Sequence, residues 1–280
     1  MNRDGGAEAT RLLVCGIAWI NMKLVRTAVA AIACPLAAQW VHYPTPGTPR
    51  TRDGQPDLSA PAPRAGGVPD LSGIWQTAGN LPSQGSGDLP LNPLLVRFGT
   101  NTKGDLPYRP ETRAAMSKRR MKDQHYLTCV TPGGPQMLIL PTMRKIVQTP
   151  RLVLILSEYN VNYRQIFTDG RPLPDDPQPA WNGYSVGRWE GDTLVVHSLG
   201  YRDDQTLDLQ GSPLTNAAKV TERFRRPSFG RLEIEVTVDD PKAYTQPFTV
   251  LVKEDLAPDT DLLDAPCTDN ERDLPHLPDN

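Results

Sequence analysis

The sequence predicts a mainly β protein, an antiparallel meander that curls into a barrel or a sandwich, with a proline-rich N-terminal arm and one short helix. Three observations support this fold class. The run RLEIEVTV (231–238) alternates strictly between apolar and polar residues, as a strand with one buried face does. No rhythm of strands alternating with helices is present, which argues against a Rossmann fold. Nine runs of strand-forming residues follow one another, most of them joined by short turns: 137–140, 145–149, 151–159, 162–168, 184–190, 193–198, 219–226, 231–238 and 248–253.

Residues 1–39 contain a segment that is typical of a secretory signal. After Met22 come two basic residues, an apolar stretch at 27–36 and then small residues. The apolar stretch is shorter than the roughly 20 residues that a membrane-spanning helix needs. We therefore expect a true start at Met22, export to the periplasm or the medium, and cleavage near Ala38. Lipid attachment at Cys34 is the less favoured alternative.

A proline-rich arm is expected over residues 40–73, because proline this dense forbids helix and central strand. The phrases GQPDLSAP and GVPDLSGI repeat within it. Apolar residues such as Trp40 and Leu71 predict that the arm lies along the domain instead of swinging free. A single β-rich domain should follow over 74–280, with its strands between about 136 and 253.

One helix is predicted at 110–125, after an irregular stretch at 79–108. Pro110 suits a first helical turn, and Glu111 complements the positive end of the helix dipole. The basic residues at 118–122 are expected to form a solvated face.

The strongest local signal is a hairpin built from the runs 184–190 and 193–198. The pair Gly191-Asp192 separates them, and glycine tolerates the positive φ that tight hairpin turns require. This hairpin concentrates aromatic and titratable residues, so it is the first place to look for a binding surface.

Removal of residues 1–39 takes away four basic and two acidic residues, so the formal net charge goes from −2 to −4. This balance argues against a nucleic-acid partner, which needs a clustered basic surface. Removal also leaves two cysteines, Cys129 and Cys267. In an oxidising compartment such a pair usually forms a disulfide, which would tie down the C-terminal tail. Two unpaired buried thiols are the alternative.

Several phrases resemble a family of secreted bacterial proteins common in acidobacterial and other soil-bacterial genomes. They are HYPTPGTPR, PDLSGIW, TPGGP beside Cys129, KIVQTP, IFTDGRPLP, GYSVGRWEGDTLVV, TERFRR and TVDDPKAYTQPFTV. The resemblance covers nearly the whole mature chain. It implies an exported, lipocalin-like (calycin-like) β-barrel domain, and it supplies no catalytic residues.

Three strand residues are candidates for acid–base chemistry. Glu222 falls on the apolar phase of its strand, where a carboxylate could act as a general acid or base; a structural ion pair with Arg164 or Arg188 is favoured over this role. Arg164 also falls on an inward phase and could bind either a ligand or Glu222. His197 could shuttle a proton to Glu222, although an ordinary barrel-wall position is favoured.

The aromatic residues Trp181, Tyr184 and Trp189 could line a stacking surface for a sugar or an aromatic ring, with Arg188 beside them. Aromatic residues in strands are more often core. Trp181 is the best of the three candidates, because it follows the loop RPLPDDPQPA, and barrel mouths collect ligand contacts.

No metal or cofactor is predicted. The four histidines, His42, His125, His197 and His276, form no close pair, and the Asp-Asp pairs lack the spacing of a calcium loop. There is no Gly-x-Ser-x-Gly elbow, Walker loop or dinucleotide fingerprint.

Three functional hypotheses remain open. The first is an exported small-molecule-binding protein whose barrel pocket is lined by the aromatic residues and an arginine. The second is a cofactor-free lyase, isomerase or hydrolase that acts on glycosides or phenolics through Glu222 and His197. The third is a structural protein of the cell envelope.

Overall fold

The computed structural model describes residues 44–78, 106–119, 129–140, 142–208 and 210–267. The predicted signal segment 1–39, most of the irregular stretch 79–108, the last part of the predicted helix (120–125), and His42, His125 and His276 lie outside the described residues. The described elements, in chain order, are β1 (Arg64–Ala65), β2 (Val68–Pro69), β3 (Gly73–Thr77), α1 (Pro110–Met116), a 3-10 helix (Gly134–Leu138), β4 (Arg144–Gln148), β5 (Leu152–Ser157), β6 (Asn162–Phe167), β7 (Tyr184–Glu190), β8 (Thr193–Leu199), β9 (Gln205–Thr206), β10 (Pro213–Leu214), β11 (Lys219–Ser228), β12 (Arg231–Asp239) and β13 (Phe248–Leu256).

Nine of these strands form a closed barrel in the order β3, β4, β5, β6, β7, β8, β11, β12 and β13, and β13 pairs with β3 to close it. The mainly β prediction is therefore confirmed, as a barrel and not as a sandwich. One departure from a pure antiparallel meander is the pair β6–β7, which is parallel. A closed ring with an odd number of strands cannot alternate in direction throughout, so one neighbouring pair has to be parallel. The 168–183 connection carries the chain back for that pair.

Three local predictions need correction. The run 137–140 is not a strand, because it lies mostly in the 3-10 helix. The ninth barrel strand is instead β3, around the glycine and tryptophan of the PDLSGIW phrase. The helix ends at Met116, so the described basic residues 118 and 119 come after it and do not form a helical face.

The barrel interior is packed with side chains. On β12 the alternation holds as predicted: Leu232, Ile234, Val236 and Val238 are each 0% exposed and point inward. The inward positions of the other strands join them in one continuous hydrophobic cluster. The described inward side chains therefore form a hydrophobic core at the density of protein interiors.

The described part of the arm, from residue 44, packs against one end of the barrel. Arg226 of β11 donates hydrogen bonds to the carbonyls of Asp70 and Ser72 in the arm, and its guanidinium lies 4.8 Å from the centre of the Trp75 ring. Burial lowers the pKa of Arg226 to about 10. Further along, the backbone of Gly230 donates to the carbonyl of Leu58. These contacts fasten the arm to barrel strands that come later in the chain.

Segment 129–140 packs against the other end. Arg144 donates to the carbonyls of Met137 and Leu140, and its remaining donors reach Thr77 and the carboxylate of Glu254. Both members of this ion pair are 1% exposed. Burial is the main cause that raises the pKa of Glu254.

A disulfide between Cys129 and Cys267 ties the start of this segment to the C-terminal part of the chain, and the predicted pairing is present. Two positions in the TPGGP phrase are too closely packed for any residue other than glycine. A Cβ on Gly133 would lie 1.9 Å from the carbonyl oxygen of Trp181, and one on Gly134 would lie 2.8 Å from the ring of Tyr201. Segment 129–140 can pack this closely against its neighbours because glycine has no side chain at these two positions.

Candidate functional site

Inside the barrel, four strands bring together a buried polar network. Arg164 of β6 binds both carboxylate oxygens of Glu222 of β11, one of them at 2.8 Å. Its other donors reach the hydroxyls of Ser185 of β7 and Ser198 of β8, which are 2.8 Å apart. Arg164 and Glu222 are 1% and 0% exposed. Of the roles considered for these two residues, the geometry matches the structural ion pair.

The electrostatics of this network hold Arg164 in its charged form. Burial by itself lowers the pKa of Arg164, but the charge and hydrogen bonds of Glu222 outweigh it, and the pKa lies above its usual range. Tyr201, which follows β8, is fully buried. Burial is the main cause that raises the pKa of its phenol, and the positive charge of Arg164 acts in the opposite direction. The hydroxyl is outside hydrogen-bond geometry with any described residue.

His197 and Glu222 lie on opposite faces of the barrel wall. In the β8–β11 register His197 pairs with Thr221, whereas Glu222 pairs with Val196. Successive residues of a strand point to opposite sides, so Glu222 faces the core and the exposed His197 faces outward. The wall therefore separates the two side chains that the acid–base hypothesis combines.

The outward face at His197 carries a groove with a volume of about 370 Å³. Strands β8, β11 and β12 form its floor, and residues from the 168–183 and 240–247 connections stand beside it. The lining residues are Leu173, His197, Ser198, Leu199, Lys219, Val220, Thr221, Thr237, Asp239 and Pro247. The volume falls within the range of small-molecule sites, about 300–1,000 Å³.

One histidine nitrogen is held in place in this groove. Nδ1 of His197 lies 3.2 Å from Oγ1 of Thr221, and the described residues provide no hydrogen-bond partner for Nε2. The ring is thereby oriented with one nitrogen available to a ligand.

The other predicted binding residues do not converge on one pocket. Tyr184 is half-buried, 5.3 Å from the ring of Phe167, and its hydroxyl accepts a hydrogen bond from Arg171. Trp181 is half-buried before β7, and the guanidinium of Arg202 lies 4.5 Å from its ring centre.

Trp189 packs in part against the core, whereas Arg188 is exposed on the outward face of β7. These two residues are therefore separated by the wall of the barrel, as His197 and Glu222 are.

Among the described residues, no three His, Cys, Asp or Glu side chains are grouped so that they could hold a metal ion. Within the same residues, no helix is long and apolar enough to cross a membrane.

Sequence reasoning missed the charged residues of the groove, Lys219 and Asp239, and the inward-facing Ser185, Ser198 and Tyr201. A signal for some of them was present. The alternation of KVTERFRR puts Lys219 and Thr221 on one side, and a serine on the inward phase of an apolar strand indicates an interior polar partner. The partners across the barrel could not be read from one strand.

Comparisons with family models, with curated proteins and with solved structures find no match for this chain. The resemblance to secreted bacterial proteins therefore stays a prediction. The geometry by itself shows a closed nine-stranded β-barrel, which is compatible with a lipocalin-like architecture.

Proposed function

We propose that this protein is an exported small-molecule-binding protein, and that it binds its ligand in the outward groove at His197 and not in the barrel lumen. The observation that carries the proposal is the groove itself, which combines a suitable volume, apolar walls and an oriented imidazole. The disulfide between Cys129 and Cys267 supports export, because such bonds persist in oxidising compartments.

The packed interior argues against a lumen site. A ligand there would have to displace core side chains or separate Arg164 from Glu222, which would leave a charge buried without its partner. A catalytic role for Glu222 meets the same obstacle, since the carboxylate is 0% exposed and already accepts from an arginine. The geometry favours binding over acid–base catalysis.

A matched pair of variants tests the location. Thr221 of β11 lines the groove beside His197, whereas Thr193 lies four residues before His197 on the outward phase of β8 and does not line the groove. Thr221→Trp fills the groove with an indole, and Thr193→Trp adds the same group to the same sheet outside it.

Both variants and the parent protein are screened against a library of small organic fragments by ligand-observed NMR. We expect fragments that bind the parent and Thr193→Trp, that no longer bind Thr221→Trp, and that shift the imidazole signals of His197. Equal binding to all three proteins would place the site elsewhere and refute the proposal, and so would a screen in which nothing binds the parent.

A further inference from the structure

The groove has one positively and one negatively charged side chain, directly opposite each other on neighbouring strands. Lys219 begins β11 and Asp239 ends β12, and the two residues are cross-strand partners in the register. Both are exposed, and neither forms an ion pair with another described residue. The groove therefore offers a cationic donor and an anionic acceptor side by side, with no net charge from this pair.

The floor adds groups that both donate and accept. Thr221 and Thr237 are neighbours across β11 and β12, and His197 lies beside Thr221 on β8. A hydroxyl has one donor and two acceptor sites, and a neutral imidazole has one of each. A ligand that matches this floor also has to carry donors and acceptors together.

The walls are apolar. Leu173 stands on one side of the groove and Pro247 is among the residues that complete its lining, with Leu199 on the floor. Such a site fits a molecule that has a non-polar face and a polar edge, and small-molecule sites commonly combine apolar walls with a few placed polar groups.

Resting on the function proposed above, we infer that the ligand class is a neutral polyhydroxylated molecule with vicinal hydroxyls, of the kind found in glycosides. A hydroxyl donates to the Asp239 carboxylate while a neighbouring hydroxyl accepts from Lys219, and the CH face of the ring packs on the apolar wall. A carboxylate ligand would be repelled by Asp239 as much as it is attracted by Lys219, and an amine ligand the reverse, so the pair gives no net preference to a ligand with a single charge.

The chain offers controls on the same two strands. Arg223 and Glu235 are also an exposed cross-strand pair of β11 and β12, four residues along from the groove pair, and they do not line the groove. Lys219→Met and Asp239→Asn remove the proposed contacts, whereas Arg223→Met and Glu235→Gln remove the same charges outside the site.

The probes are a panel of methyl glycosides, with benzoate and hexylamine as charged molecules of similar bulk, measured by ligand-observed NMR and calorimetry. We expect at least one glycoside to bind with an affinity that changes little with salt, because no net charge is neutralised. Lys219→Met and Asp239→Asn should each weaken that binding about tenfold or more, since a hydrogen bond to a charged group is lost, and the two control variants should leave it unchanged.

Two results overturn this inference while the proposed function stands: groove-dependent binding of fragments when no glycoside binds, or preferred binding of benzoate that is lost in Lys219→Met. Equal effects of the groove and control variants on glycoside binding would also overturn it. Loss of the proposed function is recognised separately, by fragment binding that Thr221→Trp does not affect.

Discussion

Replacement of Glu222 by leucine removes the carboxylate from a guanidinium that is sealed inside the barrel. Arg164 donates to both oxygens of this carboxylate and keeps only its two serine contacts in the variant. Hydrogen bonds to charged groups contribute about 1.5–3 kcal/mol each, so two of them amount to roughly 3–6 kcal/mol. Breaking a buried ion pair by removing one partner costs about 3–5 kcal/mol. The two routes agree, and we expect a loss of about 4 kcal/mol.

Urea unfolding, followed by tryptophan fluorescence, measures this loss. Whole domains are stable by about 5–15 kcal/mol, so the single variant should show a clearly lower midpoint with a similar slope. The double variant Arg164→Met with Glu222→Leu removes both charges together. It should regain most of the lost stability, because no charge is left without a partner.

An exposed ion pair next in the sequence provides the control. Arg223 lies 3.2 Å from Glu190, and both side chains are largely exposed. Arg223→Met should cost less than about 1 kcal/mol. If Glu222→Leu cost no more than this control, or if the double variant were less stable than the single one, the reasoning from burial would be refuted.

Three further predictions concern the ends and loops of the barrel. Gly134→Ala should destabilise the protein by about 1–3 kcal/mol more than Gly170→Ala in urea unfolding. Both glycines have positive φ, but only the new methyl group at position 134 would press on a buried ring, that of Tyr201. Equal losses of stability would contradict the packing argument. Cys267→Ser should lower the free energy of unfolding by about 4–5 kcal/mol, since the disulfide closes a loop with a sequence separation of 138. Reduction of the parent protein should cause the same loss of stability. A loss below about 1 kcal/mol in both experiments would contradict the argument from loop closure. The hydrogen bonds of Arg171 lower the pKa of Asp169 to about 2. The stability that the ionised Asp169 carboxylate contributes should therefore be present above the ordinary pKa of aspartate and be lost as the pH falls towards 2. Carboxyl-carbon NMR should find the pKa of Asp169 raised in Arg171→Met, and an unchanged pKa would exclude the pairing.

Much of the fold follows from local pattern. The strands at 184–190, 193–198 and 231–238 appear in the structure almost as the alternation of residues predicts them. Period two also assigned Glu222 and Arg164 to the inward face, because side-chain direction in a strand is a local property. The prediction failed where apolar residues had another reason to be buried: the run 137–140 is apolar because it packs against the barrel end in a 3-10 helix, not because it is a strand.

Alternation along single strands was enough to predict a β protein with an inward Arg164 and an inward Glu222. It did not predict the outward direction of His197, which was considered as a partner of Glu222 and which the register of β8 with β11 puts on the other face of the wall. The tertiary structure alone decided which strands close the barrel, that β6 and β7 run parallel, and that Arg164 meets Glu222 across three strand boundaries. It also decided where a ligand could fit. Whether a barrel interior is filled depends on the summed volumes of side chains from all nine strands, and the groove at His197 exists because residues from two separate connections stand beside one patch of the outer wall. Such facts are properties of the closed sheet, and no single stretch of sequence carries them.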